Sequence, residues 1–144
     1  MLKICQDASG ICEISYENED ITGPDERYQD TELLIKAAAE LTEYFDGKRK
    51  VFDLPLSMHG TGFQKKVWEC LLQIPYGETR TYKEIAAMTG NAKACRAVGM
   101  ANHSNPVSIV VPCHRVIGSD GKLTGYAGGL ELKEKLLLLE QNNK

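Results

Sequence analysis

Cys113, His114 and Arg115 stand side by side within Val110-Val111-Pro112-Cys113-His114-Arg115-Val116-Ile117-Gly118. A thiol becomes a nucleophile when a neighbouring base or positive charge favours its thiolate, and this run offers both an imidazole and a guanidinium. The same cysteine, flanked by apolar β-branched residues, fits an inert core position equally well. Residues 108–111 read as a short buried strand. Pro112 cannot donate to a ladder, so it ends that strand and presents Cys113 at its mouth.

The elements that must position this run belong to a chain of 144 residues, enough for one ordinary domain or two small ones. A hydrophobic fraction of 42% supports a real core. No window approaches the roughly 20 apolar residues of a membrane span. The first residues lack a basic start followed by an apolar run, so no signal peptide is expected. The five cysteines (Cys5, Cys12, Cys70, Cys95, Cys113) contain no CxxC pair, which points to a reducing compartment, cytoplasmic or nuclear. His59, His103 and His114 are too scattered for a zinc site.

Charge is distributed unevenly. Residues 1–60 hold 6 Lys/Arg against 13 Asp/Glu, whereas residues 61–130 hold 8 against 4. The part that contains Cys113 is therefore basic within an acidic chain, a pointer to a polyanionic partner, although ordinary solvated surface charge gives the same count.

Along the chain, residues 1–16 alternate around the turn signal Asp7-Ala8-Ser9-Gly10 and read as a hairpin. Residues 17–30 are acidic and poor in apolar side chains, as in a loop. From Thr31, Leu33, Leu34, Ala37, Ala38, Leu41, Tyr44 and Phe45 recur at helical spacing, with Gly47 as the stop. Thr61 and Gln64 form a capping box before Phe63, Val67, Cys70, Leu71 and Ile74. Trp68 reads as core, with base stacking as the alternative. Thr81 and Glu84 form a second capping box, and Gly90 closes the short helix they open. Asn91 is expected to cap a further helix through about residue 101, carrying Lys93, Arg96, Ala97, Val98 and Gly99. Two short helices about a tight turn make a helix-turn-helix pattern. After the turn Ser119-Asp120-Gly121-Lys122, Leu123 and Thr124 are expected to pair with Val116 and Ile117 as a small wing. Residues 125–129 are glycine-rich, and residues 130–140 form a last apolar helix.

Together these residues resemble the O6-alkylguanine-DNA alkyltransferases, the methylated-DNA–protein-cysteine methyltransferases. The resemblance is carried by Gly60-Thr61-Gly62-Phe63-Gln64, Val67-Trp68, Ile74-Pro75-Tyr76-Gly77, Thr81-Tyr82, Arg96-Ala97-Val98-Gly99 and Asn105-Pro106. It continues through Pro112-Cys113-His114-Arg115-Val116-Ile117-Gly118, Gly125-Tyr126-Ala127-Gly128-Gly129 and Leu138-Leu139-Glu140. It implies an α/β (α+β) architecture: a reduced ribonuclease-H-like domain over residues 1–58, and a winged helix-turn-helix-like domain over 59–144 carrying the chemistry.

The resemblance also implies roles. Cys113 is the nucleophile, His114 its base through a water, Glu140 the orienter of His114, Tyr82 the proton donor to the leaving guanine, and Asn105 a brace. Arg96 replaces an extruded nucleotide, Ala97 and Gly99 admit the helix to the minor groove, and Lys93 and Thr81 lie on the DNA side. Val116, Tyr126, Ala127 and Gly128 line the base pocket, with Ser108 and Thr124 at its rim. Arg115 stands outside this catalytic set. Cys5 and Cys12 lack the histidines of a structural zinc site, so no metal and no cofactor is expected. The expected partner is double-stranded DNA carrying O6-alkylguanine, met by a monomer. A damage-sensing relative without chemistry would carry tryptophan in place of Cys113. A cysteine hydrolase would need an oxyanion motif, which is not evident, and would leave Arg96 unexplained.

Overall fold

The computed structural model describes residues 2–16 and 30–144. Nearly all of the acidic stretch read as a loop lies outside the described residues. Strands β1 (Leu2–Asp7) and β2 (Gly10–Tyr16) form the expected antiparallel hairpin, with a register shift between Cys5 and Gln6. Ser9 N–H donates to the Asp7 carboxylate at 2.8 Å and stiffens its turn. Helix α1 (Glu32–Phe45) starts on Thr31, whose hydroxyl accepts from Leu34 N–H. It buries Ala37, Leu41 and Tyr44 on the expected stripe, and Gly47 follows in the left-handed region at φ 75°.

Both predicted capping boxes are present. Thr61 and Gln64 open α2 (Gly62–Leu72), and Thr81 and Glu84 open α3 (Tyr82–Met88). In each box the threonine hydroxyl accepts the N3 amide and the acidic or amide side chain accepts the N-cap amide, so two otherwise orphaned donors are satisfied. Helix α4 (Cys95–His103) packs against α2 and α3. Trp68 is core: its indole N–H donates to the Ala101 carbonyl at 2.9 Å and ties α2 to α4. Helix α5 (Leu130–Asn142) closes the chain. Among the described residues, no helix is long and apolar enough to cross a membrane.

The two halves share one core. Ile11 N–H donates to Pro55 C=O and Ile14 N–H donates to Pro106 C=O, while Ser57 and Ser108 N–H return bonds to Ile11 and Ile14 C=O. Strand β2 is thereby held to residues 55–57 through Ile11 and to residues 106–108, ahead of Cys113, through Ile14.

Three sequence expectations are corrected. Residues 108–111 are buried but are not a strand. Ile109 takes φ +74°, and Val110 and Val111 N–H bond back to Ser108 and Val107 C=O. A short buried apolar run has no periodicity that separates turn from strand, and this β-branched residue in the left-handed region costs about 1–3 kcal/mol. Second, no wing forms between 116–117 and 123–124. The carbonyls of Val116 and Thr124 converge on the Lys133 ammonium, at 2.5 and 2.8 Å, instead of entering a shared ladder. Val116–Ile117 (β4) pairs in parallel with Arg80–Thr81 (β3). Third, Asn91 does not cap α4. Its side chain accepts Lys93 N–H in a separate turn, Lys93 precedes the helix, and Ala94 is an N-cap without a side-chain bond.

Candidate active site and nucleic-acid interface

Cys113 opens a single 3₁₀ turn, Cys113–Arg115, directly after Pro112. A strand would send Cys113 and His114 to opposite faces; the tight turn keeps both within the same buried layer. Cys113 is 5% exposed and His114 fully buried. Asn105 fixes the approach: its amide nitrogen donates to Val111 C=O at 2.8 Å, and its oxygen accepts Val107 N–H at 3.0 Å. Asn102 Nδ2 reaches Cys113 C=O at 3.4 Å.

Burial pushes the Cys113 thiol up from its ordinary value. The Asn105 side chain, the positive charge of Lys133 and the backbone N–H groups of Cys113 and His114 oppose this by favouring the thiolate. Each of these opposing groups is a donor or a cation, the set a buried thiolate requires.

Glu140 on α5 is the centre of the second layer. Its Oε2 lies 2.6 Å from His114 Nε2 and accepts Tyr44 O–H at 2.6 Å. Arg115 Nε donates to Oε1 at 2.8 Å, Arg115 Nη2 donates to Oε2 at 3.1 Å, and Gly77 N–H donates to Oε1 at 3.2 Å. Burial alone would raise this carboxyl; the His114 and Arg115 hydrogen bonds outweigh it and hold it down at about 2. The carboxylate assigns the histidine tautomer: Nε2 carries the proton, leaving Nδ1 as a buried lone pair without a protein partner. Burial lowers the His114 pKa, and the Glu140 hydrogen bond works against that. A neutral imidazole whose Nδ1 lone pair is buried without a hydrogen-bond partner is available as a proton acceptor.

Tyr82, at the first position of α3, accepts from the Thr124 hydroxyl at 3.2 Å. Tyr126 is buried, with its hydroxyl 2.5 Å from that of Tyr16 and the rings edge to face. Val116 is fully buried, and Ala127 is exposed. Gly128 is closely approached: a Cβ there would stand 2.7 Å from Leu132 Cδ2 and 2.9 Å from Tyr16 Cε2, so those side chains would have to shift. Ser108 is not at a rim; it is buried in the bridge to Ile14. Arg115 is fully engaged by Glu140 and by Ile74 C=O at 2.7 Å, a bracing position.

Arg96 and Ala97 project from the exposed face of α4, and Gly99 lies on the side facing Tyr82. Thr81 is half-buried as the cap of α3, and Lys93 is exposed in the preceding turn. The helix-turn-helix pattern thus brings Arg96, Gly99 and Tyr82 to one side of the molecule, while Cys113, His114 and Glu140 lie inside it.

Sequence reasoning missed Tyr44 and Lys133. Lys133, Leu136 and Glu140 recur at i, i+3 and i+7, so two charged residues sit on the buried stripe of α5. That pattern was a readable signal. Burial lowers the Lys133 pKa to about 8. Tyr44 carried no such signal, because an aromatic on an apolar stripe ordinarily packs as core.

The chain matches two family models: the 6-O-methylguanine DNA methyltransferase ribonuclease-like domain over residues 1–58, and the DNA binding domain of the same family over 62–142. It is 58% identical over 120 residues to a methylated-DNA–protein-cysteine methyltransferase of Methanosarcina barkeri, covering 83% of this chain and 76% of that one. It is 49% identical over 146 residues to the constitutive methylated-DNA–protein-cysteine methyltransferase of Bacillus subtilis, covering 97% and 88%. Its fold superposes on Mycobacterium tuberculosis OGT, solved in complex with DNA, with a TM-score of 0.88 at 44% identity, covering 99% and 87%. With both halves matched in order and the turn, the carboxylate hub and the exposed helix in place, the chain belongs to the 6-O-methylguanine DNA methyltransferase family.

Proposed function

We propose that this protein repairs DNA by moving an alkyl group from guanine O6 onto the Cys113 sulfur, once per molecule. The carrying observation is the Glu140–His114 bond of 2.6 Å, which leaves His114 Nδ1 bare in the turn that Cys113 opens. The thiol proton passes to Nδ1 through a water, and Glu140 stabilises the imidazolium that results. The thiolate attacks the alkyl carbon in line; the C–S bond forms as the C–O bond breaks, and the electron pair leaves on guanine. Tyr82 supplies a proton to the departing base. The thioether product has no easy hydrolytic route, so the protein is consumed.

Double-stranded DNA carrying O6-alkylguanine is the partner, bound by one copy of the chain, since every group in this scheme comes from a single chain. A stacked lesion lies out of the thiol's reach, so the nucleotide must be extruded at a cost of about a few kcal/mol. Arg96 fills the gap. Phosphate contacts from Lys93 and the α3 cap region at Thr81 offset the rest. Ala97 and Gly99 let the α4 backbone come close, and Val116, Tyr126, Ala127 and Gly128 receive the base, with Asn105 holding the thiol's turn. The chain divides near residue 58 into a supporting part and a catalytic part, with Tyr44 as the supporting part's own contribution to the Glu140 hub.

Titrating the protein against a duplex containing one O6-methylguanine tests this. Transfer must stop at one equivalent, and fresh substrate must find the protein inert; sustained turnover overturns the reading.

A further inference from the structure

Helix α4 presents a second side chain beside Arg96 that the scheme above does not use. Met100 follows Arg96 by one turn, and His103 follows by two, so the three share a face. Met100 is 73% exposed. Arg96, Gly99, Met100, His103 and Ser104 line one open groove of about 450 Å³. The surroundings are shaped for a polyanion: α4 carries no carboxylate, and none occurs in the sequence between Glu84 and Asp120. A Cβ on Gly99 would meet only Tyr82 Cε1, at 4.0 Å, so at this position between Arg96 and Met100 the helix is crowded by no other side chain.

An unbranched, polarizable side chain standing free on a cationic, carboxylate-free helix matches the apolar wedges that proteins push between base steps from the minor groove. Arg96 and Met100 are about 6 Å apart along the helix axis, a little under twice the ~3.4 Å rise between stacked base pairs, so the two side chains can reach either side of one base pair.

We infer that Met100 is a second duplex-opening side chain: its thioether enters the minor groove next to the step that Arg96 opens and holds the adjoining base pairs apart. This inference rests on the alkyl-transfer reading above. Arg96 supplies charge to the vacated position, and Met100 supplies the apolar surface that keeps the opened stack from closing. Met100 therefore sets how readily a lesion is reached in duplex DNA, and it has no part in the chemistry at Cys113.

The test is single-turnover transfer by wild type, Met100→Ala and Met100→Leu, with O6-methylguanine in a duplex and in a single strand. A 2-aminopurine beside the lesion reports unstacking. Met100→Ala should lose about tenfold in duplex transfer at subsaturating protein, the scale of re-exposing a methionine side chain, and lose the 2-aminopurine signal. Single-strand transfer should stay within about twofold of wild type. Met100→Leu, still an apolar wedge, should retain most of the duplex rate. Being exposed, the position can be truncated without opening the core, and unchanged thermal melting checks that. Equal duplex rates for Met100→Ala and wild type, or equal losses on both substrates, overturn the wedge and leave the transfer reading standing. Failure of wild type to transfer from either substrate overturns both.

Discussion

Arg115 and Glu140 meet as a buried two-point pair, Nε on Oε1 at 2.8 Å and Nη2 on Oε2 at 3.1 Å, with the Tyr76 ring 5.6 Å from the guanidinium. Arg115, two residues after Cys113, therefore braces the Glu140 carboxylate, and the carboxylate in turn fixes His114. Structure and chemistry share one group: Glu140 is both the strongest tie between α5 and the Cys113 turn and the residue that sets the histidine tautomer.

Glu140→Gln removes the charge that Arg115, His114 and Tyr44 are built around. It leaves a buried guanidinium without its counterion, and stability should fall by about 3–5 kcal/mol. Denaturant unfolding should show a lower midpoint with an unchanged slope. Transfer measured where the variant is still folded should slow as well, because Nε2 loses its anionic acceptor. A variant as stable as wild type contradicts the hub.

Acid should destabilise the protein in two stages of the same sign. His114 has a folded pKa below its ordinary 6.5, so the unfolded chain takes up the proton first and stability falls as pH drops below that value. Glu140 is held at about 2 against 4.5 when unfolded, so its contribution, about 3 kcal/mol, is present above pH 4.5 and is lost as pH falls toward 2. Melting temperature against pH checks this, and the Glu140→Gln curve should be flatter below pH 4.5. Identical acid limbs for the two proteins would contradict the assignment.

Lys133→Met keeps the length of the buried stem and removes the ammonium. Val116 and Thr124 C=O lose their common donor, and Cys113 loses a cation that favours its thiolate. The thiol pKa, followed by the pH dependence of alkylation by iodoacetamide, should move upward from wild type, with slower transfer at neutral pH. A downward move would mean that burial of the lysine outweighs its charge.

Arg96→Ala should weaken transfer from duplex DNA more than reaction with free O6-alkylguanine base, since only the duplex needs its gap filled. Parallel rate measurements decide it; equal losses on both substrates would remove the extrusion role.

Much of the fold is legible in the amino-acid sequence. Thr61 with Gln64 and Thr81 with Glu84 announced two helix starts, because a capping box is a local device that tertiary packing rarely overrides. Cys113 beside His114 was legible as a candidate nucleophile and base from residue types alone, whereas Tyr82 and Glu140 entered only through family resemblance; no spacing rule links residue 114 to residue 140. The turn at Ile109 was hidden because burial looks alike in strand and turn, and the absence of the expected wing was hidden because a single buried ammonium, Lys133, draws the Val116 and Thr124 carbonyls to itself. Tyr44 stayed invisible for a related reason: its hydroxyl serves a carboxylate 96 residues away.

The central claim is most directly tested by the intact mass of the protein after incubation with a duplex containing one O6-methylguanine, followed by peptide mapping. The account predicts a gain of one methyl per molecule, confined to the peptide containing Cys113 and absent from Cys113→Ser, which still binds the duplex. No gain in mass with the duplex still bound, or a methyl on Cys70, Cys95 or another residue, would contradict it.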